Sequence, residues 1–533
     1  MRNALLVTLA WLATGCSGGN GSSGDDGGSA PPPAATPGLA KTSCGDYQGN
    51  DRGDSWSFLG IRFATPPTGA RRWRPPDAPS CPTATVAASV YAPACPQLDR
   101  ATGAPEGDED CLALNVFAPK STFPAGRVPV MVFIHGGGNV IGSAREEVEP
   151  GRVLYDGAAL AAATGNIVVT VQYRLGPLGW LVHPGLDAEA LDARSGNYGL
   201  EDLVAALKWV QRDVGAFGGN QDRVLIFGES AGGVDVCGLI ASPQAAGLFD
   251  AALIQSGGCG ADSRPRGLST GATLAGNAGC STAADVVACL RSRTPAELLA
   301  ALPPEVSVSG APPTYQPSVD GTLLPGVPLE VIRAGQHNRV PVVIGANADE
   351  TGQDVPLGYT EAQYELFLAT TFTNPTVRTL VADQYSSAKF GSARKAYVAL
   401  TSDLKFICPS RAMARALDAA QSVPVYRYFF AEVPDAPVSA LYGAFHGLEL
   451  LYVFGALDVR GYAPTPAERA LSSAMQRYWG GLAASGVPAA VGAPTWTAYD
   501  PGRDNHLVLD ATALAVADGV NTARCDFWAG LGL

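Results

Sequence analysis

The sequence predicts an α/β fold built on a large, mostly parallel, doubly wound sheet. Short apolar runs lack the polar alternation of a half-exposed strand, helical patterns separate them, and reactive residue types follow the carboxyl ends of several runs. Strands that are buried on both faces and alternate with helices form such sheets, and their sites lie beyond the carboxyl ends of the strands. With 533 residues, 47% of them hydrophobic, the chain has enough apolar material for one large domain.

The first 15 residues have the layout of a bacterial export signal. One basic residue, Arg2, precedes an apolar stretch from Ala4 to Ala13 that is too short to span a bilayer. The box LATGC predicts that Cys16 is lipidated and is the first residue of the mature chain; ordinary cleavage and free secretion are the alternative. Residues 16–40, rich in Gly and Ser and then in Pro, predict a flexible tether before a domain over 41–533. The chain is therefore expected outside the cytosol, in contact with the membrane only through a lipid on Cys16.

Cysteine usage and charge narrow the function further. Leaving Cys16 aside, ten of the 11 cysteines remain, none of them in a CxxC motif, which argues against zinc or a redox dithiol. Export allows up to five disulfides, whose pairing the spacing alone does not determine. A net charge of −13 argues against nucleic acid as a partner, because phosphate binding needs concentrated Lys and Arg.

The strands and the clearest helix follow from apolar periodicity. Leu200, Leu203, Val204, Leu207 and Val210 recur at helical spacing and predict a helix from Tyr198 to Val214. The predicted strands are Val128 to His135, Ile167 to Tyr173, Val224 to Phe227, Ala251 to Gln255, Val340 to Gly345 and Val425 to Phe430.

The run VLIFGESAGG predicts a nucleophile elbow at Ser230. A strand that ends Gly-x-Ser-x-Gly and enters a helix turns so sharply that a side chain at Gly228 or Gly232 would collide across the turn. The pattern recurs from Gly267 to Gly271, but there it follows SRPR instead of an apolar strand and is expected to be a loop.

A second motif, His135 followed by three glycines, also ends a predicted strand. Bare backbone N–H groups at Gly137 and Gly138, with that of Ala231, could surround a developing oxyanion; a plain glycine-rich turn is the alternative.

A serine nucleophile needs a base and an orienting acid. Among the five histidines, His446 is followed by Gly and precedes an apolar segment, whereas the others suit the Gly turn or capping and solvated roles. Asp349 and Glu350, beyond a strand end, are both candidates for the acid. The chain order serine, acid, histidine is that of an α/β-hydrolase.

Several stretches together resemble the type B carboxylesterase family, which includes cholinesterases and some fungal lipases. FGGNQDRVLIFGESAG looks like its main signature and EDCLALNVFAP like its second. Further blocks in the family's order extend the likeness over nearly the whole of residues 41–533. They are GIRFATPPTGARRWRPP, VQYRLGPLGW, GNYGLEDLVAALKWV, GANADET and GAFHGLELLYVFG.

The resemblance implies an α/β-hydrolase fold, ester hydrolysis without cofactor or metal, and a role for each candidate. Ser230 would be the nucleophile, Glu350 the acid in preference to Asp349, and His446 the base. Gly137, Gly138 and Ala231 would donate to the oxyanion, and Glu229 would be a buried acid that supports the site. It also implies disulfides and ion pairs. These are Cys95 to Cys111, Cys280 to Cys289, Cys408 to Cys525, Arg72 with Glu109 and Arg174 with Asp202, which leaves Cys44 with Cys81 and Cys237 with Cys259 by elimination.

Departures from the family pattern bear on the substrate. Asn139 stands where an aromatic residue is usual, which predicts a wider, more polar acyl pocket, and Asp235 and Ala113 are also unusual. The short, Trp-free loop between Cys95 and Cys111 argues against a choline esterase and a lipase-type lid, and so favours short to medium acyl chains or small soluble esters. The alternatives are a specialised lactone, polyester, aromatic-ester or natural-product esterase, and a non-catalytic binding protein resembling the neuroligins.

Overall fold

The structure, a computed structural model, describes residues 36–303 and 313–532. The predicted export signal over 1–15, Cys16 and the tether as far as residue 35 lie outside the described residues. The first strand begins at Leu39, so the last two residues of the predicted tether belong to the folded part. Within the described ranges, no helix combines the length and the apolar character that crossing a membrane requires.

The β-strands of the described residues are numbered in chain order. They are β1 Leu39–Thr42, β2 Gly45–Gln48, β3 Asn50–Asp51, β4 Ser55–Arg62, β5 Val86–Ala87, β6 Gln97–Leu98, β7 Pro105–Glu106, β8 Ala113–Pro119, β9 Val128–Ile134, β10 Glu147–Glu149, β11 Arg152–Val153, β12 Ile167–Val171, β13 Gly219–Glu229, β14 Ala251–Gln255, β15 Val342–Asn347, β16 Val425–Phe430, β17 Asn505–Leu509 and β18 Ala515–Asp518.

The α-helices are numbered in the same way. They are α1 Ala158–Thr164, α2 Gly176–Trp180, α3 Pro184–Glu189, α4 Tyr198–Asp213, α5 Ala231–Ala241, α6 Arg264–Asn277, α7 Val286–Ser292, α8 Pro295–Ala301, α9 Pro328–Arg333, α10 Glu361–Thr371, α11 Pro375–Gln384, α12 Ser387–Phe390, α13 Ala393–Ser402, α14 Cys408–Ala420, α15 Pro437–Tyr442, α16 Leu448–Val453, α17 Pro466–Ser485 and α18 Thr522–Gly530.

One 11-stranded sheet organises the fold, in the order β18-β17-β16-β15-β14-β13-β9-β12-β8-β4-β3. Strands β17, β16, β15, β14, β13, β9 and β12 all run parallel to one another, and the remaining pairs toward both edges are antiparallel. The predicted α/β-hydrolase architecture is confirmed. Because β9, β13 and β15 point the same way, the segments that follow them emerge at one edge of the sheet.

The central strands carry continuous apolar runs because both faces of the sheet are covered. Along β9, Val130, Val132 and Ile134 belong to one buried cluster, while Met131 and Phe133 belong to another on the opposite face. Period-two alternation is therefore absent from the sequence where the sheet is most deeply buried.

The predicted elements correspond closely to those observed, with one exception. The helix predicted from Tyr198 is α4, and the six predicted strands are β9, β12, β13, β14, β15 and β16. The segment from Gly267 to Gly271, expected to be a loop, lies inside α6, so that expectation was wrong. Gly271 packs against the backbone there, since a Cβ would lie 2.0 Å from the carbonyl oxygen of Val182.

All five expected cysteine pairs are bonded, and both expected ion pairs are present. The disulfides are Cys44–Cys81, Cys95–Cys111, Cys237–Cys259, Cys280–Cys289 and Cys408–Cys525. Arg72 binds Glu109 through two hydrogen bonds of 2.7 and 2.6 Å, and Arg174 binds Asp202 through two of 2.7 Å. Such paired geometry is what allows a charged group to be buried.

Candidate active site

Ser230 stands on a strained turn between β13 and α5. Its φ of 56° and ψ of −121° are unusual for a residue with a side chain. A Cβ on Gly228 would lie 2.5 Å from the carbonyl of Gly232, and one on Gly232 would lie 2.1 Å from the carbonyl oxygen of Ile134. Both glycines are therefore required for the turn, as the sequence predicts.

The glycine loop after β9 lies against this turn. A Cβ on Gly136 would lie 2.7 Å from Oε2 of Glu229 and 3.0 Å from Cβ of Ser230. Gly137 and Gly138 have φ values of 101° and 65°, so the loop leaves the strand in a left-handed conformation. Their N–H groups belong to the segment beside Ser230, where the expected oxyanion donors are needed.

Glu350 is the acid that contacts His446. Nδ1 of His446 lies 2.6 Å from Oε2 of Glu350, and the backbone N–H of His446 donates to the carbonyl of Glu350. The other carboxylate oxygen accepts from the backbone N–H of Asn347 at 2.7 Å. Glu350 is 1% exposed, so it is oriented from both sides and shielded from water.

Asp349, the neighbouring acid, binds a backbone segment instead of the histidine. Its Oδ2 accepts from the backbone N–H of Ala444 at 3.2 Å, and its own N–H donates to the carbonyl of Ala444. Burial raises the pKa of Asp349. It secures the turn before His446 instead of contacting the imidazole, and the two adjacent acids are thus distinguished by geometry.

Glu229 faces the other nitrogen of the same histidine. Oε1 of Glu229 lies 3.2 Å from Nε2 of His446, close enough for a charge contact, but the two atoms are not aligned for a hydrogen bond. Among the described residues Nε2 has no hydrogen-bond partner, so the structure holds no bond from it to Ser230. Catalytic hydrogen bonds in unliganded enzymes often form only when substrate arrives.

Burial and neighbouring charge have opposite effects on the pKa values of Glu229 and His446. Burial raises the pKa of Glu229 well above its ordinary value, while the nearby imidazole lowers it. Burial alone would lower the pKa of His446, but the negative charges of Glu229 and Glu350 outweigh it and raise that pKa. Carboxylate charge around the ring therefore favours the imidazolium that general-base catalysis forms.

A third acid, Glu449, escaped the sequence reasoning. It is fully buried and accepts hydrogen bonds from Gln255 at 3.0 Å and from Asn347 at 2.6 Å. Burial raises the pKa of Glu449. The available signal was an acidic residue inside the apolar segment that follows His446, where Glu449 is the second residue of α16.

The remaining histidines make local contacts. His135 is buried and stacks on Tyr173 with ring centroids 4.5 Å apart, and burial lowers its pKa to about 4. His183 caps α3 by accepting from a backbone N–H, His337 contacts Gln421, and His506 packs against Phe429.

Asn139, expected to make the acyl side of the cavity more polar, borders the cavity but directs its side-chain amide into the protein. The residue is 2% exposed, and its amide donates to Asp235 at 3.1 Å and accepts from the hydroxyl of Tyr173 at 3.1 Å. Its polar atoms are thus occupied inside the protein. Asp235 is fully buried in α5, and Ala113 is buried in β8.

A cavity of about 1270 Å³ opens onto these groups. Ser230, Glu350, His446, Glu229 and the glycine loop all line it. A pocket of this size exceeds the roughly 300–1,000 Å³ usual for small-molecule sites. The arrangement can therefore bring a sizeable acyl donor to a serine, an imidazole and backbone donors at one wall.

The Cys95–Cys111 loop borders the same cavity and is held down. It folds as a hairpin of β6 and β7, and the buried Gln97 exchanges hydrogen bonds with both backbone groups of Gly142, at 3.0 and 2.8 Å. The hairpin is fixed to the glycine loop's own continuation, which does not suit a large mobile lid.

Comparisons with known proteins give the relatives of this chain. A model of the carboxylesterase family matches residues 37–528. Carboxylesterase 1C of Rattus norvegicus is 34% identical over 494 residues, covering 85% of this chain and 85% of that protein. Cocaine esterase of Homo sapiens is 31% identical and covers 89% and 86%, and para-nitrobenzyl esterase of Bacillus subtilis (strain 168) is 33% identical and covers 89% and 95%.

Glu350→Gln should lower kcat/KM for an activated ester by about 10³–10⁴-fold, because an amide at this position disturbs the imidazole tautomer that accepts the proton. Asp349→Asn is the matched control: it keeps an oxygen for the Ala444 N–H and should change kcat/KM less than about threefold. A larger loss in the Asp349 variant than in the Glu350 variant would move the acid by one residue.

Glu229→Gln should move the acid limb of the pH profile of kcat/KM to lower pH. The charge of Glu229 raises the pKa of His446, so removing it lets the imidazole lose its proton at lower pH and the neutral base persists there. Steady-state kinetics between pH 5 and 9 measure the limb. An unmoved limb, with the Asp349→Asn limb at the same pH, would show that Glu229 carries no charge that the histidine senses.

Proposed function

The chain belongs to the carboxylesterase family and hydrolyses carboxylic esters, and we propose that it does so through an acyl-enzyme formed on Ser230. The observation that carries this proposal is the 2.6 Å contact between His446 Nδ1 and Glu350 Oε2 at the cavity that Ser230 also lines. A base so oriented has its second nitrogen free to take the proton of a serine hydroxyl.

In the first half of the reaction, Oγ of Ser230 attacks the ester carbonyl carbon while Nε2 of His446 takes the hydroxyl proton. Glu350 accepts from Nδ1–H, holds the tautomer and stabilises the imidazolium. Negative charge that develops on the carbonyl oxygen is met by the N–H groups of Gly137, Gly138 and Ala231. These donors are fixed before the reaction, so they cost little reorganisation in the transition state.

The tetrahedral intermediate then collapses. His446 returns the proton to the departing alkoxide, the alcohol leaves, and the acyl group remains on Ser230. Water repeats the attack with the same base, and the carboxylic acid is released. Every proton in this scheme moves through Nε2, and no cofactor takes part in the proposed cycle.

The proposed substrates are soluble esters with short to medium acyl chains. The tethered hairpin between Cys95 and Cys111 supports this choice, because a lipase acting at an oil surface needs a lid that opens. In the described part of that loop, Gln97 holds the hairpin to Gly142.

Aromatic esters are a second candidate, and one observation favours them. The cavity of about 1270 Å³ leaves room for a ring on either side of the scissile bond. Two of the relatives above carry the names of an esterase for cocaine and of one for para-nitrobenzyl esters.

We also propose that the protein is exported and lipid-anchored through Cys16, with secretion as the alternative. The apolar stretch, the LATGC box and the Gly, Ser and Pro tether support an anchor that holds the domain away from a membrane surface.

Hydrolysis of p-nitrophenyl esters from acetate to palmitate tests the substrate proposal. We expect kcat/KM to be highest at C2 to C8 and to fall for longer chains, and Ser230→Ala to reduce turnover by about 10⁵-fold or more while the unfolding temperature stays the same. A maximum at palmitate would instead indicate a lipase, and wild-type turnover in the Ser230 variant would remove Ser230 from the mechanism.

Mass spectrometry of the mature protein from membrane fractions tests the anchor. A diacylglyceryl group on Cys16 is expected, and Cys16→Ala should move the protein to the soluble fraction. A mature chain that keeps Cys16 unmodified in the medium would establish secretion.

A further inference from the structure

Two residues that depart from the family pattern meet in the structure. Nδ2 of Asn139 donates to Oδ1 of Asp235 at 3.1 Å, across 96 residues of sequence. Asn139 is 2% exposed and Asp235 is fully buried. Burying either polar side chain without a partner would lower stability, whereas the hydrogen bond between them offsets that cost. Each residue therefore explains the presence of the other.

The pair joins the two backbone segments that carry the proposed oxyanion donors. Asn139 directly follows Gly138 in the glycine loop. Asp235 lies four residues after Ala231 in α5, one helical turn along the same side of the helix. The Asn139–Asp235 hydrogen bond therefore spans the gap between the Gly137–Gly138 donors and the Ala231 donor.

Other contacts of Asn139 fix the loop end of this connection. The hydroxyl of Tyr173 contacts Oδ1 of Asn139 at 3.1 Å and the carbonyl of His135 at 2.8 Å. The carbonyl of Asn139 accepts from the N–H of Gly176 at 2.8 Å. Its φ of 60° is one that Asn tolerates better than most residues do. The side chain is thus held in one orientation, with its amide aimed at α5.

Asp235 is a neutral acid in this setting, which matters because negative charge develops nearby on the substrate. Oδ2 of Asp235 is buried and has no hydrogen-bond partner in the described part of the chain. Burial raises the pKa of Asp235 to about 8, whereas the bond from Asn139 acts against the shift. A neutral acid connects the two segments without placing negative charge beside the developing negative charge of the substrate.

We propose that Asn139 and Asp235 are a matched pair of positioning residues that hold the Gly137–Gly138 N–H groups at a set separation from that of Ala231. The pair acts through those donors: Asn139 borders the cavity, but its side-chain amide is bonded to Asp235 and Tyr173. This inference rests on the proposed acyl-enzyme mechanism at Ser230, because the donors matter only when an oxyanion forms.

A double-mutant cycle in the full-length enzyme tests the pairing. Asn139→Ala and Asp235→Ala should each lower kcat by about 10–100-fold with KM changed less than about threefold, because misplaced donors weaken only the transition state. The double variant should fall no further than about threefold below the worse single variant. Affinity for a trifluoromethyl ketone, which forms an oxyanion on the serine, should weaken in proportion to kcat/KM.

An exchange of the two side chains provides the rescue. Asn139→Asp alone removes the amide that donates to Asp235 and leaves two carboxyl groups in contact, so it should lower kcat about as much as Asn139→Ala does. Adding Asp235→Asn should recover at least tenfold of the lost kcat, since the new amide at position 235 donates to the new carboxylate at position 139, which still accepts from Tyr173. Where an alanine variant fails to fold, this exchange alone decides the matter.

Val236→Ala is the matched control. Val236 is buried beside Asp235 on α5 and contributes only apolar contacts to the core. It should lower the unfolding temperature and combine additively in log kcat with Asn139→Ala. Thermal unfolding of every variant separates stability from positioning.

Additive effects of Asn139→Ala and Asp235→Ala, or a loss confined to KM or to unfolding temperature, would overturn the pair while leaving the Ser230 mechanism intact. Failure of the exchange to restore kcat would also overturn it. By contrast, wild-type turnover that survives Ser230→Ala would overturn the proposed function on which the pair depends, so the two failures are distinguishable.

Discussion

The turn at Ser230 packs backbone against backbone with no room for side chains. Gly228 and Gly232 face one another, and the carbonyl of Ile134 at the end of β9 lies against Gly232. This close approach ties the start of α5 to the neighbouring strand, so the glycine loop that follows β9 must pass beside Ser230. The strained φ and ψ of the serine persist because the sheet and helix around it leave no alternative. The position of Ala231 relative to Gly137 and Gly138 depends on this contact.

Buried carboxylates around His446 are the second constraint. Three acids, Glu229, Glu350 and Glu449, have buried side chains, and isolated charges are costly where burial limits their contact with water. Glu350 and Glu449 have hydrogen-bond donors, whereas Glu229 has the imidazole as its charged neighbour. The cost of their burial is thus offset by a histidine that is more readily protonated, which is the state reached when it takes the serine proton.

Much of the fold and of the turn at Ser230 can be predicted from the sequence, because both depend on local patterns. The apolar runs, the periodicity of α4 and the glycines around Ser230 each act over a few residues, and all are seen in the structure. Contacts between distant segments could not be predicted in this way. Glu449 bonded to Gln255, and Asn139 bonded to Asp235, depend on which strands become neighbours. The Gly267–Gly271 segment was misassigned because helical packing against Val182, not local propensity, accounts for its glycines.

Covalent labelling tests directly whether Ser230 is the nucleophile. The enzyme would be treated with a fluorophosphonate, which reacts with activated serines, and its peptides mapped by mass spectrometry. The proposed mechanism predicts one label per chain, on Ser230, with activity lost in proportion to labelling and with Glu350→Gln slowing the reaction far more than Asp349→Asn. Complete inactivation with the label on another residue, or an unlabelled Ser230 in an inactivated enzyme, would contradict it.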